Sequence, residues 1–379
     1  MSSRSRTWLA IYARALCNRI SPGGPAAAPP RRILVPHHSL LGDTVMLAAC
    51  LAKLRERYPA AEIVHVMPRA FVPLFAHAPW GAQPVGWDAR DAGSLDTLWR
   101  LGTFDLAIIN GDTRFSWLAA AIGSRRIVAF EGERSAYKRL PVTDFVPIPA
   151  EPMAWSDLVA TLVPGPPARP YARGQWPAPE CRPYRRPPGR YAVLHVGAST
   201  LHKTWPGERW AAIAQALAAR GLTPCWSGGP GEERLVEAIP GSAAWPSFAG
   251  KLDLPQLWDL VAHAAVLVTG DTSVAHIGRA AFAPTVVLYG PSGPLLGGPG
   301  RFWADCPSRD VAIDPFACRD QDTLFKRRVP WVRRCSRGVA ECPAPRCMHA
   351  ITGDMVLAAV DSLMKKGSDP ICLVSDTGL

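Results

Sequence analysis

The chain has 379 residues, 48% of them hydrophobic, and a formal net charge of +11 from 42 Lys+Arg against 31 Asp+Glu. That length suits two domains, each with its own core. It contains no apolar run near the ~18–20 residues of a membrane span, and no zinc-finger, RNA-recognition or helix-turn-helix signature, so nucleic acid is not an expected partner.

The chain opens with a basic leader, residues 1–30. No acidic residue precedes Asp43, and Trp8, Tyr12, Leu16 and Ile20 recur every four residues. The segment reads either as a loosely ordered basic tail or as an amphipathic helix lying on an anionic membrane surface. Ser21–Pro30 is a spacer rich in proline, glycine and alanine. Ten cysteines without a secretion signal read as reduced thiols in a cytoplasmic protein.

An N-terminal domain is expected over residues 31–163. Ile33–Val35 reads as a buried strand, followed by His37-His38-Ser39-Leu40-Leu41-Gly42-Asp43 and a helix over about 44–57 that Asp43 can cap. Ile63–Met67, Asp105–Asn110 and Arg126–Phe130 are further strands, with helical stretches between. Residues 164–189, with nine prolines and several arginines, read as a linker.

The pattern restarts in a C-terminal domain, residues 190–350. Strands are predicted at Tyr191–Val196, Leu222–Ser227, Ala265–Thr269 and Thr285–Tyr289, and helices at Gly207–Arg220, Leu254–His263 and Thr272–Phe282. A last helix, within residues 351–366, is expected to pack back on the N-terminal domain. Strands alternating with helices imply parallel sheets covered on both faces, with ligands beyond the carboxyl ends of the strands.

Three strand-to-helix loops carry candidate chemistry. Asp43 is either a helix cap or a base for a substrate hydroxyl, two roles in conflict, because backbone hydrogen bonds weaken a carboxylate as a base. Ser199, Thr200 and Lys203 precede a helix and suit a pyrophosphate. Asp271, Thr272 and Ser273 open another helix: Asp271 either caps it or meets sugar hydroxyls, and the other two suit phosphate. His276 sits one turn inside. Neither G-x-G-x-x-G nor G-x-x-x-x-G-K-[ST] occurs, which argues against a usual nicotinamide dehydrogenase or P-loop NTPase.

Together, Ile33–Tyr58, Val193–Trp210 and Phe248–Pro294 resemble the family 9 glycosyltransferases, typified by ADP-heptose:lipopolysaccharide heptosyltransferases. Phe248–Pro294 carries the most specific likeness, from Ala-Gly-Lys through Asp-Thr-Ser and His to Tyr-Gly-Pro. The resemblance implies an α/β GT-B fold, two Rossmann-like domains with parallel sheets facing across a cleft. It implies an inverting, metal-independent transfer of a sugar, heptose from ADP-heptose foremost, to a lipid-linked saccharide acceptor of the lipopolysaccharide core. The nucleotide sugar is then a substrate, and no cofactor is required. Asp43 would be the general base. Ser199, Thr200, Lys203, Gly229, Glu232, Asp271, Thr272, Ser273 and His276 would bind the donor, and His37, His38 and Gly42 would lie on the acceptor side. The family's first loop usually carries an arginine and polar residues before Gly-Asp, whereas this chain has Pro36-His37-His38-Ser39-Leu40-Leu41. Another nucleotide sugar or acceptor, or a catalytically silent nucleotide-sugar-binding protein, are the alternatives.

Overall fold

A computed structural model describes residues 3–18 and 28–366. It contains two parallel sheets. The first runs in the order β3-β2-β1-β4-β5-β6, from β1 (Arg32–Pro36), β2 (Glu62–Pro68), β3 (Ala82–Trp87), β4 (Phe104–Ile109), β5 (Ser124–Phe130) and β6 (Asp144–Val146). The second runs β11-β10-β9-β7-β8, from β7 (Tyr191–His195), β8 (Thr223–Ser227), β9 (Val266–Gly270), β10 (Thr285–Tyr289) and β11 (Ser308–Ala312). Each order reverses once, between β1 and β4 and between β7 and β9. At such a reversal two neighbouring strands send their following segments to opposite faces and leave a crevice.

The helices in chain order are α1 (Ser3–Cys17), α2 (Leu41–Met46), α3 (Ala48–Arg57), α4 (Leu95–Trp99), α5 (Phe115–Ile122), α6 (Ala136–Arg139), α7 (Trp155–Ala160), α8 (Gly207–Ala219), α9 (Glu233–Glu237), α10 (Leu254–Ala262), α11 (Ser273–Ala280), α12 (Pro294–Gly297), α13 (Arg346–His349) and α14 (Gly353–Lys366). β1, with Ile33, Leu34 and Val35 all fully buried, is apolar on both faces because helices cover both. Within these two sheets the three strands without a sequence signal are β3, β6 and β11, and all three are sheet edges. Their sequences, Ala-Gln-Pro-Val-Gly-Trp, Asp-Phe-Val and Ser-Arg-Asp-Val-Ala, carry the charges, proline and glycine that edges tolerate.

Three expectations are corrected here. First, helix α1 of the leader packs as part of the first domain. Trp8, Ile11 and Ala15 of α1 are buried in a cluster with Trp87, Phe115 and Leu118, and Arg14 and Asn18 donate to the carbonyl of Ala121 at 3.1 and 2.8 Å. The predicted four-residue stripe therefore divides: Trp8 is buried, Leu16 is 68% exposed, and Ile20 lies outside the described residues.

Second, the proline-rich segment 164–189 is a packed strap. Tyr171 and Trp176 are buried. Tyr171 donates from its hydroxyl to the Ala280 carbonyl of the second domain at 2.6 Å. Trp176 donates to the Leu74 carbonyl of the first at 3.0 Å and lies 5.6 Å from the Trp258 ring. Proline there lowers the entropy of a segment whose aromatic side chains then knit the domains together. Third, α14 packs on the second sheet. Its Val356, Val360 and Leu363 share a core with Val266, Val286 and Val311, and Asp361 pairs with Arg220 at 3.0 Å.

A second element crosses between domains. The hairpin of β12 (Thr323–Leu324) and β13 (Arg327–Arg328) follows the second sheet yet inserts Arg327 into the first domain, where it donates to the carbonyls of Glu131 and Gly111 at 2.8 and 3.1 Å. Phe325 packs at a tilt against Trp155 with ring centroids 4.8 Å apart.

Candidate active site

The reversal points of the two sheets open on one cavity of about 710 Å³, a volume suited to a nucleotide-sized ligand. The segment after β1 supplies Gly42 and Asp43, the segment after β7 supplies Ser199 and Lys203, and the segment after β9 supplies Asp271, Thr272 and Ser273. Because β7 and β9 are neighbours, the last two segments meet. Lys203 Nζ donates to Asp271 Oδ2 at 2.9 Å and to the Asp271 carbonyl at 2.8 Å.

The cap question resolves from geometry. Thr272 is the N-cap of α11, with extended backbone, and its Oγ1 accepts from the Val274 amide at 3.3 Å. Asp271 is therefore free of capping and turns to Lys203. Burial would raise its pKa, but the Lys203 charge and hydrogen bond, aided by a hydrogen bond from Ser292, outweigh burial and hold it below the ordinary carboxylate value. Asp271 is thus an anion that orients the lysine at the mouth of α11.

Asp43 differs. The helix begins at Leu41, so Asp43 lies within its first turn rather than at the cap. Burial in the cleft, with Asp271 adding repulsion, pushes its pKa up to about 6, against the opposing pull of Lys203, Arg334 and the Leu40 amide. A carboxyl at that value is a far better proton acceptor near neutrality than an ordinary aspartate. The anticipated conflict between capping and basicity is settled by desolvation, which exceeds the single backbone hydrogen bond.

The two loops touch at Gly42. A Cβ there would stand 3.0 Å from His276 Cδ2 and 3.5 Å from Ser273 Cα, so the absent side chain lets α2 approach α11. His276 is buried and held neutral, its pKa lowered to about 3 by burial and then by Arg279 and Lys203. Arg279 Nη1 lies 3.4 Å from His276 Nδ1. A guanidinium can only donate, so Nδ1 accepts and the imidazole proton sits on Nε2. Arg279 itself is fully buried, and donates to the Gly297 carbonyl at 2.6 Å, to the Tyr289 hydroxyl at 2.8 Å and to Asp310 at 3.3 Å.

Gly229 and Glu232 line the far end of the cavity. Glu232 Oε2 accepts from the Gly229 amide at 2.5 Å. A Cβ at Gly197 would fall 1.9 Å from the same oxygen, so a side chain there would displace the Glu232 carboxylate from the β7 loop.

Three predicted site residues stand apart. His37 is fully buried beneath the loop, its Nε2 2.9 Å from His65 Nε2, and its carbonyl accepts from Trp87 at 3.0 Å. Burial, then His65 and His38, lowers its pKa, so it is a neutral core residue. His38 is exposed and packs edge-on against Trp87 at 5.2 Å, outside the cavity lining. Thr200 is also exposed and outside it, its carbonyl accepting from the Lys203 amide at 3.1 Å. Of the acceptor-side trio only Gly42 lines the cleft.

Other lining residues fall outside the predicted site set. Arg334 reaches the cavity near Asp43 from the segment after the hairpin; in sequence it is half of the basic Arg333-Arg334 pair, which reads either as solvated or as approaching a phosphorylated acceptor or the bilayer. His195 and Ser227 end β7 and β8 side by side, 3.1 Å apart, and form the floor. Their in-strand positions made them indistinguishable from core. Phe325 and Leu324 enter with the hairpin.

Residues 100–301 match the sequence family described as glycosyltransferase family 9 (heptosyltransferase). The chain is 28% identical to lipopolysaccharide heptosyltransferase 3 of Escherichia coli over 154 residues, 37% of this chain and 43% of that protein, so this alignment spans less than half of the relative. It is 26% identical over 298 residues to lipooligosaccharide heptosyltransferase 2 of Haemophilus influenzae, covering 69% of this chain and 84% of that one. The structure of E. coli ADP-heptose lps heptosyltransferase II superposes with a TM-score of 0.66 at 18% identity, covering 89% and 99% of the two chains. The shared architecture is GT-B.

Proposed function

The chain belongs to glycosyltransferase family 9, and from that premise we propose that it transfers heptose from ADP-heptose to a hydroxyl of a lipopolysaccharide core, with inversion and without a metal ion. The observation that carries this reading is the placement of Asp43, its pKa raised to about 6, in one cavity with the Lys203–Asp271 pair of the opposite domain.

In this reading the acceptor hydroxyl lies against Asp43, which takes its proton as the oxygen attacks the anomeric carbon. The bond from that carbon to the diphosphate oxygen breaks, and its electron pair stays on the diphosphate. Lys203, the α11 amides and the hydroxyls of Thr272 and Ser273 stabilise the charge that develops there. Asp271 holds Lys203 in place and faces the donor sugar. Ser199 adds a hydroxyl, and Glu232 with Gly229 receives the nucleoside. Arg334 balances the anionic transition state from the acceptor side. The enzyme works at the cytoplasmic face of the membrane that carries its lipid-linked acceptor.

A thermal-shift panel tests the donor. A ligand that binds only the folded state raises its stability by RT ln(1 + [L]/Kd). ADP-heptose is expected to shift the melting temperature more than ADP, UDP-sugars or GDP-sugars at equal concentration. An equal response to all of them, or a preference for a uridine or guanosine sugar, overturns the donor assignment.

A further inference from the structure

Helix α1 is apolar on two faces, and the protein covers only one. Trp8, Ile11 and Ala15 face the domain core. Leu9, Ala13 and Leu16, spaced four and three apart, form the opposite stripe, with Leu9 53% and Leu16 68% exposed. An exposed apolar stripe flanked by arginines marks a surface that meets a partner or a bilayer. Beside it lies α6. The ring of Tyr12 on α1 packs edge-on against Trp117 at 5.3 Å, and the Trp117 indole donates to the Tyr137 carbonyl of α6 at 2.8 Å. Tyr137 is 46% exposed, and Leu140, at the end of α6, is 69% exposed.

Charge specifies what covers this surface. Residues 1–42 and 134–143 contain no acidic residue. Arg6 on α1 and Arg139 on α6 are exposed and form no ion pair among the described residues, as does Arg134 just before α6. Arg14, by contrast, is occupied, lying over the Trp99 ring at 4.7 Å and donating to Ala121. Leucines and a tyrosine lie among unpaired arginines, and the neighbouring carboxylates, Asp112 and Glu133, are already paired with Arg114 and Lys138; this matches the interface of an anionic bilayer, where apolar side chains enter the acyl boundary and arginines meet lipid phosphates. A second copy of the same cationic face would be repelled.

We propose that the outer stripe of α1 and the exposed end of α6 form one docking face for an anionic bilayer. Its position fits a lipid-borne acceptor. Tyr137 and Lys138 of α6 line a recess of about 630 Å³ together with Glu133, which faces Lys138, and with Thr323 and Lys326 of the hairpin segment, and the neighbouring Phe325 lines the cleft. Docking through α6 therefore sets the bilayer beside the acceptor entrance. This deepens the proposed acceptor reading, but it is tested without donor, acceptor or turnover.

The test is co-sedimentation of the full chain with vesicles of phosphatidylcholine, with and without 30% phosphatidylglycerol (about a third anionic, a typical anionic surface). Retention is expected only with the anionic lipid, and it should fall in high salt. Leu9→Asp/Leu16→Asp and, separately, Arg6→Glu/Arg139→Glu are each expected to lower the partition coefficient at least about tenfold, the equivalent of ~1.4 kcal/mol. All four side chains are exposed, so the melting temperature should stay unchanged; should the leucine variant misfold, the arginine variant decides alone. Absence of wild-type binding, or equal binding by the arginine variant, overturns the proposal. So does a wild-type dimer that Leu9→Asp/Leu16→Asp converts to monomer without loss of vesicle binding, because a second copy would then cover the stripe. ADP-sugar thermal shifts, measured in parallel, keep any such failure separate from the donor assignment.

Discussion

Replacing Asp43 with Asn separates catalysis from stability in opposite directions. In the folded chain the carboxyl has its pKa raised from 3.8 to about 6, first by burial and then by Asp271. A carboxyl whose folded value lies above its unfolded value binds more protons folded than unfolded between the two. Its contribution to stability is therefore greatest below about pH 4, is lost as the pH rises to about 6, and stays lost above it. The shift of roughly 2 units sets an upper bound of about 3 kcal/mol. Asp43 keeps some contact with water in the cleft, so about 1–2 kcal/mol is the expected size. Asn has the same shape and no charge to desolvate. Asp43→Asn should thus melt a few degrees above wild type at pH 8 and level with it at pH 4, while sugar transfer falls by about 10²–10⁴-fold, the usual worth of a general base. Wild-type transfer should rise with pH through about 6. The assays are thermal unfolding across pH 4–8 and initial rates of transfer from ADP-heptose. A variant that melts below wild type at pH 8, or a stability difference independent of pH, would refute the desolvation argument. Near-wild-type turnover would refute the base.

The donor side yields further expectations. Lys203→Met should weaken ADP binding by calorimetry and leave Asp271 buried without its cation, destabilising the chain by about 1–3 kcal/mol. Adding Asp271→Asn should recover much of that stability without recovering ADP affinity, and additive losses would show that the pair is not coupled. Thr272→Ala removes the cap of α11 and should cost ~1 kcal/mol in denaturant unfolding, with Thr272→Ser largely restoring it. Gly42→Val, which drives a branched side chain into His276 and Ser273, should abolish transfer with little change in far-UV circular dichroism. Trp176→Ala should cost about 3–5 kcal/mol and split a single unfolding transition into two, because the strap's aromatic contacts join the domains. A single transition at unchanged temperature would show that the strap is a passive linker.

Much of the architecture is legible from local pattern. Doubly covered central strands are rich in apolar runs, and β1, β2, β4, β5, β7, β9 and β10 declare themselves in this way; β8, though an edge, is legible between Gly221 and Gly228-Gly229. The edges β3, β6 and β11 do not, since an edge needs apolar residues on little more than one face and tolerates Pro84, Asp144 and Arg309. The proline-rich segment misled because composition reports backbone stiffness, whereas Tyr171 and Trp176 are placed by contacts about a hundred residues away.

At the site the division is similar. Sequence by itself determined that Gly42-Asp43, Lys203 and Asp271-Thr272-Ser273 sit in strand-to-helix loops, because a strand's end and a helix's start are written within a few residues. Tertiary structure alone decided what those residues do to one another. The neighbouring of β7 and β9 made Asp271 the partner of Lys203 and left capping to Thr272. The meeting of two domains desolvated Asp43 and raised its pKa, and the same packing withdrew His37 into the core. Charge, burial and proton affinity depend on neighbours distant in the chain, and strand order, which no local periodicity encodes, chooses those neighbours.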